Sequence, residues 1–106
     1  MNMDETEYHS HAIIPLQELL EMVEVLEEKH KIEAELEEGV LAIIMPDGKE
    51  YVINKHTPSR QIWVSSPYSG AGYFEYDGTN WGPKRAVAAQ GRNLVEFITA
   101  EIKSHL

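Results

Sequence analysis

Apolar residues recur with the period of a helix in the first quarter of the chain. Up to about Glu28 they follow one another in steps of three and four residues, at Tyr8, Ala12, Leu16, Leu19, Leu20, Val23 and Leu26. This spacing predicts an amphipathic helix, and Asp4 with Glu7 three residues later predicts a capping box at its start. Pro15 lies inside the pattern. Because an interior proline removes a backbone hydrogen bond and costs about 3 kcal/mol, we expect it to interrupt the helix.

A period of two replaces the helical period after residue 30. Apolar and polar residues alternate, and turn signals such as Pro46-Asp47-Gly48 and Asp77-Gly78 separate the runs, which predicts consecutive strands. The predicted strands are residues 31–37, 40–45, 49–54, 61–66 and 72–76, with a short sixth strand near Trp81. Residues 82–92 have no regular pattern, and we expect them to be irregular.

A second helical pattern closes the chain. Asn93 with Glu96 three residues later predicts a capped helix start. The apolar face of this helix consists of Leu94, Phe97, Ile98, Ile102 and Leu106. Helix, five or six strands and helix, joined by short connections, predict a single α+β domain over residues 1–106. In this two-layer α/β sandwich an antiparallel sheet carries both helices on one face.

The chain is acidic and its charge is divided unevenly. It has 106 residues, no cysteine and a net charge of −9. Residues 1–50 hold 14 acidic and 3 basic residues, whereas residues 51–106 hold 4 acidic and 6 basic residues. The absence of cysteine excludes disulfides, thiolate metal sites and a cysteine nucleophile. The negative charge argues against nucleic acid as a partner and favours cations or basic protein surfaces.

No segment predicts a membrane span or a targeting signal. The longest strictly apolar run is Val40 to Met45, which is far shorter than the ~20 residues of a membrane helix. No basic or hydrophobic leader precedes Lys29. We therefore expect no membrane partner, and a chain from which any leader has been removed.

Glutamates cluster on the first predicted helix, beside its apolar stripe, and on the first predicted strand. The helical members are Glu21, Glu24 and Glu28, extended by Asp4, Glu7 and Glu18, and the strand members are Glu33, Glu35 and Glu37. If helix and strand lie side by side, these carboxylates form one acidic ridge. Carboxylate oxygens suit hard or borderline cations such as Mg²⁺, Ca²⁺, Mn²⁺ and iron. An exposed ridge predicts weak, salt-sensitive binding; the alternative is an ordinary solvated face.

Two histidines lie in the same acidic N-terminal segment. Imidazole and carboxylate together can hold a transition metal. The spacing of His9 and His11 does not place both rings on one helix face. His9 is the better candidate ligand, because we expect it to border the acidic ridge; the alternative for both is a surface role without metal.

Trp63 lies among polar neighbours in the fourth predicted strand. Alternation places Ile62 and Val64 on one face of the strand, and Gln61, Trp63 and Ser65 on the other. A tryptophan on the solvent side of a sheet more often marks a contact surface than a core. The alternative is partial burial of Trp63 under its neighbours. For Trp81, core packing and contact remain open.

The same stretch carries a resemblance to a known family. Its residues are Tyr51-Val52-Ile53-Asn54-Lys55, Thr57-Pro58, Gln61-Ile62-Trp63, Ser65-Ser66-Pro67, Ser69-Gly70 and Asn80-Trp81. This block resembles the frataxins, small acidic proteins of iron–sulfur cluster assembly. The resemblance implies weak binding of iron at the surface through the acidic first helix and the edge of the first strand. Glu21, Glu24, Glu33 and Glu35 match positions where family members carry acids and are the carried-over metal ligands. Glu27, Glu28 and Glu37 are further candidates. Glu18, as an extension of the ridge, and His9, as its bordering histidine, complete the expected metal ligands.

The resemblance also implies partners and a function. Asn54, Lys55, Gln61 and Trp63 match positions on the exposed sheet that meet cysteine desulfurase and the iron–sulfur scaffold protein. The chain is therefore expected to be an iron chaperone and a regulator of cluster assembly. The alternatives are iron storage with ferroxidase activity, and an acidic adaptor without a metal role. No motif for nucleophilic catalysis or phosphate binding supports another enzyme activity.

Two further expectations follow from the resemblance. The first is a monomer, with iron-dependent oligomers as the alternative. The second is the mitochondrial matrix as the compartment of the mature chain, with the bacterial cytoplasm as the alternative.

Overall fold

Two helices and six strands follow one another in the predicted order. The computed structural model describes residues 3–106, so Met1 and Asn2 of the expected 1–106 domain lie outside the described residues. The elements are α1 (Glu5–Leu26), β1 (Glu33–Glu37), β2 (Val40–Ile44), β3 (Glu50–His56), β4 (Gln61–Ser66), β5 (Gly70–Tyr76), β6 (Trp81–Arg85) and α2 (Leu94–Ser104). Asp4 caps α1 by accepting the Glu7 N–H at 2.8 Å, and Asn93 and Glu96 form the expected capping box of α2.

The strands form one antiparallel sheet in sequential order from β1 to β6. Both helices cover the same face of this sheet, which confirms the two-layer α+β architecture. Because alternate side chains of a strand point to opposite faces, each strand buries one set of residues against the helices. This core includes Leu41, Ile43, Tyr51, Ile53, Ile62, Val64, Phe74 and Trp81 from the strands and Tyr8, Ala12, Leu16, Leu19, Val23, Leu94, Phe97, Ile98 and Ile102 from the helices.

Two expectations about the last quarter of the chain were wrong. Residues 82–85 are not irregular but belong to β6. Pro83 is tolerated there because β6 is an edge strand, where a missing N–H costs no ladder hydrogen bond on the open side. Leu106 lies beyond the end of α2 and is 38% exposed instead of joining the apolar face.

The expected interruption of the first helix was also wrong. α1 is continuous from Glu5 to Leu26 and contains Pro15, which is buried. A proline has no N–H to donate to the carbonyl four residues earlier, so the His11 carbonyl lacks its helical partner. The Trp81 indole Nε1–H donates to that carbonyl at 3.1 Å. Trp81 is 4% exposed, so it is a core residue that supplies the missing hydrogen bond.

Candidate functional site

The face of the sheet opposite the helices carries an aromatic cluster. The register pairs Asn54 with Trp63 and Trp63 with Tyr73, so these residues lie side by side across β3, β4 and β5. The His56 ring stacks on Trp63 with centroids 3.7 Å apart and an angle of 8° between the planes. The Tyr73 ring lies 5.1 Å from Trp63 at 37°. We call His56, Trp63 and Tyr73 the aromatic platform.

Hydrogen bonds hold the aromatic platform in place. The Trp63 Nε1–H donates to Gln61 Oε1 at 2.9 Å, and Gln61 Nε2 donates to Glu75 Oε2 at 3.1 Å. His56 Nδ1 lies 2.7 Å from Ser59 Oγ. Trp63 is half-buried between its neighbours. The indole is therefore part of a preorganised surface, as a binding site requires, and not an isolated projecting side chain.

Lys55 does not share this face, contrary to expectation. It follows Asn54 in β3, and strand alternation turns it toward the helices, where it is paired with the buried Ile62. Its ammonium group lies 2.9 Å from His9 Nδ1. Asn54, Gln61 and Trp63 are thus brought together on the exposed face, and Lys55 is separated from them.

Glutamates gather on the same exposed face near the β1 edge of the sheet. Glu33, Glu35 and Glu37 alternate with half-buried residues along β1 and are exposed. The register places Glu33 opposite Ile44, and Ile44 opposite Glu50. A surface hollow is lined by Glu27 at the end of α1 together with Glu33, Glu35 and Glu50. We call these four residues the acidic rim.

The remaining predicted helix acids lie at increasing distance from the acidic rim. Glu21, Glu24 and Glu28 are exposed. Around the helix axis Glu24 is about 60° from Glu27, whereas Glu21 and Glu28 are about 100° or more away. Glu18 lines a different hollow, between α1, α2 and the β5–β6 turn, together with His11 and Trp81. Glu24 therefore adjoins the rim, and Glu18 belongs to another side of the molecule.

The acidic rim is not a closed metal site. Within residues 3–106, no group of three or more histidine, aspartate or glutamate side chains is arranged to hold a metal ion. No salt bridge within 4.0 Å occupies the rim carboxylates in the same part of the chain. Exposed carboxylates without a common centre can attract cations that keep most of their water, which is the chemistry of weak surface binding.

A family model described as the frataxin-like domain matches residues 1–106. The chain belongs to the frataxin family. It is 34% identical over 106 residues to the mitochondrial frataxin homolog of Saccharomyces cerevisiae, covering 97% of this chain and 59% of that protein. It is 39% identical over 90 residues to the mitochondrial frataxin of Dictyostelium discoideum, covering 80% of this chain and 45% of that protein. The chain thus spans about half the length of these relatives.

Solved frataxin structures share this fold. The trimeric frataxin of S. cerevisiae complexed with ferrous iron superimposes with a TM-score of 0.74 and 32% identity, over 98% of this chain and 87% of that chain. The frataxin of Psychromonas ingrahamii superimposes with a TM-score of 0.75 at 17% identity, over 97% and 91% of the two chains. The second likeness supports the fold alone.

Neither of the two helices within residues 3–106 combines the length and the apolar character that crossing a bilayer requires.

His9 does not border the acidic rim of this frataxin fold. It lies about 27 Å along α1 from Glu27, at a rise of ~1.5 Å per residue. Lys55 donates to its Nδ1, and its Nε2 lies 3.5 Å from Glu5 Oε1. The Lys55 contact makes Nδ1 the acceptor and leaves the ring proton on Nε2. An ammonium group beside the ring opposes a second cation there.

Sequence reasoning missed one residue of the acidic rim and two of the aromatic platform. Glu50 reaches the acidic rim only through the pairing of β3 with β2. His56 and Tyr73 complete the aromatic platform. Alternation along β3 from Val52 was the available signal for His56, and hairpin register was the available signal for Tyr73.

Proposed function

We propose that this frataxin-family chain binds iron weakly at its surface and regulates iron–sulfur cluster assembly. It acts by docking on the complex of cysteine desulfurase and scaffold protein. Family membership supports this proposal, as does the ferrous complex of the yeast relative. The mitochondrial relatives support the mitochondrial matrix as its compartment.

One observation carries the proposal: the strand residues of the acidic rim share one face of one sheet with the aromatic platform. Glu33 and Glu35 lie on β1, three strands from Trp63 on β4, and Glu50 lies on β3, four residues along the strand from Asn54, which is paired with Trp63. At about 4.8 Å between strands and about 3.3 Å per residue along a strand, each of these positions is about 14 Å or more from Trp63. A partner that docks on the platform through an extended surface therefore also meets the rim. This arrangement suits a protein that presents a cation to a docked complex.

Iron is the cargo of the acidic rim in this proposal. Fe²⁺ accepts carboxylate oxygens and retained waters as ligands, and four carboxylates around one hollow supply the charge to attract it. Glu24 adds a fifth carboxylate beside the hollow. We propose no binding role for Glu18 or His9, whose positions separate them from the rim.

An adaptor without a metal role is the second candidate. It is favoured by the absence, within residues 3–106, of three or more histidine, aspartate or glutamate side chains arranged around one metal position. In that case the acidic rim recognises a basic protein surface through complementary charge. Iron binding distinguishes the two functions.

Amide chemical shifts measured during anaerobic Fe²⁺ addition test the iron role. We expect shifts at Glu33, Glu35 and Glu50, and a weaker response in Glu35→Gln. Glu18→Gln is the charge-matched control and should respond as the wild type does. Unchanged amide shifts at millimolar Fe²⁺ would contradict iron binding and would favour the adaptor function.

Persulfide transfer by a reconstituted desulfurase–scaffold complex tests the docking role. Wild-type protein should change the transfer rate, and Trp63→Ala should remove most of that change because the platform loses its central ring. Ser65→Ala, one alternation further along β4 on the same face, is the matched control. Equal rates with Trp63→Ala and wild type would contradict docking through the platform.

A further inference from the structure

The pairing of the last two strands contains a bulge. Tyr73 is paired with Arg85, whereas its neighbour Phe74 is paired with Pro83, so Lys84 is an extra residue on β6. An extra residue shifts the alternation of the bulged strand. Lys84 Nζ lies 4.0 Å from Glu75 Oε1, and Arg85 lies beside Tyr73. Both cations therefore lie on the exposed face of the sheet.

The bulge gives this face two ends of opposite charge. Glu33, Glu35 and Glu37 lie on the β1 edge, and Lys84 and Arg85 lie on the β6 edge. The aromatic platform lies between the two edges. A partner with a basic end and an acidic end meets opposite charges at both edges when its basic end lies over β1. In the reversed orientation it meets like charges at both edges.

The two cations of the β6 edge differ in what they contact. The carboxylate of Glu75 partly neutralises Lys84. Arg85 is exposed, and within residues 3–106 its guanidinium forms no salt bridge and no side-chain hydrogen bond. Directly paired cross-strand residues have Cβ atoms about 5 Å apart. The Arg85 side chain therefore starts at the edge of the platform and retains all of its donors for a partner.

We propose that Arg85 binds a carboxylate of the protein that docks on the aromatic platform. This inference rests on the proposed docking function and adds the chemistry of the partner to it. A guanidinium binds a carboxylate through two parallel N–H···O bonds, which fixes orientation as well as adding affinity. The docked surface thus carries an acidic group beside the β6 edge and basic groups toward the acidic rim.

Binding of the desulfurase–scaffold complex to matched variants tests this assignment. Arg85→Gln and Lys84→Gln each remove one positive charge from adjacent positions. We expect Arg85→Gln to raise Kd roughly tenfold, as loss of a charge-assisted contact does, and Lys84→Gln to stay within about twofold. Arg85→Lys should recover the charge but not the paired hydrogen bonds, and so lie between wild type and Arg85→Gln. The difference between the two glutamine variants should shrink at ~1 M salt.

The Trp63→Ala variant separates failure of this inference from failure of the docking proposal. Wild-type affinity in Trp63→Ala would overturn docking on the platform itself. Weakened binding in Trp63→Ala together with equal affinities of Arg85→Gln and Lys84→Gln would overturn the role of Arg85 alone. Thermal unfolding of each variant tests whether the fold is retained. Lys84 and Arg85 are exposed, whereas Trp63 is half-buried.

Discussion

Replacing Trp81 by phenylalanine should destabilise the fold chiefly by leaving one carbonyl without a donor. The indole N–H donates to the His11 carbonyl at 3.1 Å, and Trp81 is 4% exposed. Pro15 cannot replace the lost donor, because its nitrogen carries no hydrogen. This hydrogen bond is part-buried, and a fully buried carbonyl left without a donor costs about 1–3 kcal/mol. We therefore expect Trp81→Phe to lower the free energy of unfolding by about 1 kcal/mol or more, before any loss of packing.

The same substitution should cost less in a chain in which Pro15 is also replaced by alanine. An alanine at that position has an N–H in place to bond the His11 carbonyl, as an ordinary helix residue does. The carbonyl then keeps a partner when the Trp81 indole is removed, and only the packing loss remains. The two substitutions should thus be coupled by about 1–2 kcal/mol, within the range measured for contacting residues. Pro15→Ala alone should stabilise α1, because proline inside a helix is ~3 kcal/mol worse than alanine.

Urea unfolding of four proteins, followed by circular dichroism, measures this coupling. The four are the wild type, Trp81→Phe, Pro15→Ala and the double variant. Trp63→Phe with and without Pro15→Ala is the control pair, because Trp63 lies on the other side of the sheet and should show no coupling. Additivity of Trp81→Phe and Pro15→Ala within ~0.5 kcal/mol would refute the compensation of Pro15 by Trp81.

Three other predictions follow from single contacts. Burial raises the pKa of Tyr8 to about 12, so its stabilising contribution is complete below about pH 10 and is lost as the pH rises further. Tyr8→Phe should flatten that part of the stability–pH curve, and an unchanged slope would contradict this. Gly39→Ala should lower Tm and move the His9 ring resonances, because Gly39 has a φ of +78° and an added Cβ would collide with Lys55; wild-type resonances would count against the contact. Ser66→Ala should cost about 1–3 kcal/mol in urea unfolding, because the buried hydroxyl donates to Glu101 and accepts two backbone N–H groups; a loss below ~0.5 kcal/mol would exclude this network as a stabilising one.

The sequence predicts the elements of this fold well where one period extends over a full element. β4 has the predicted bounds, Gln61–Ser66, because its alternation is regular and turns flank it. β6 was predicted only as a short strand near Trp81, and its extent to Arg85 was missed because Gly82 and Pro83 are typical of loops. An edge strand tolerates such residues, and nothing in the local sequence reveals that a strand will be at the edge.

The candidate site was less predictable because strand register assembles it. Glu33 and Glu50 are far apart in sequence and meet in one row through Ile44, a relation that no local pattern contains. Lys55 and Asn54 are adjacent in sequence and lie on opposite faces, which strand alternation alone could have indicated. Pro15 was a further signal, because a proline inside a helical pattern leaves one carbonyl without its helical donor.

The separation of the two surfaces limits how iron can influence docking. The strand residues of the acidic rim lie about 14 Å or more from Trp63, a distance that exceeds the Debye length of ~8 Å at physiological salt. A cation at the rim therefore changes the field at the platform little through solvent. Coupling between iron and docking requires a partner that covers both surfaces at once, because that partner excludes water and contacts the rim directly. By linkage, such a partner changes the affinity for iron by the same factor as iron changes the affinity for the partner.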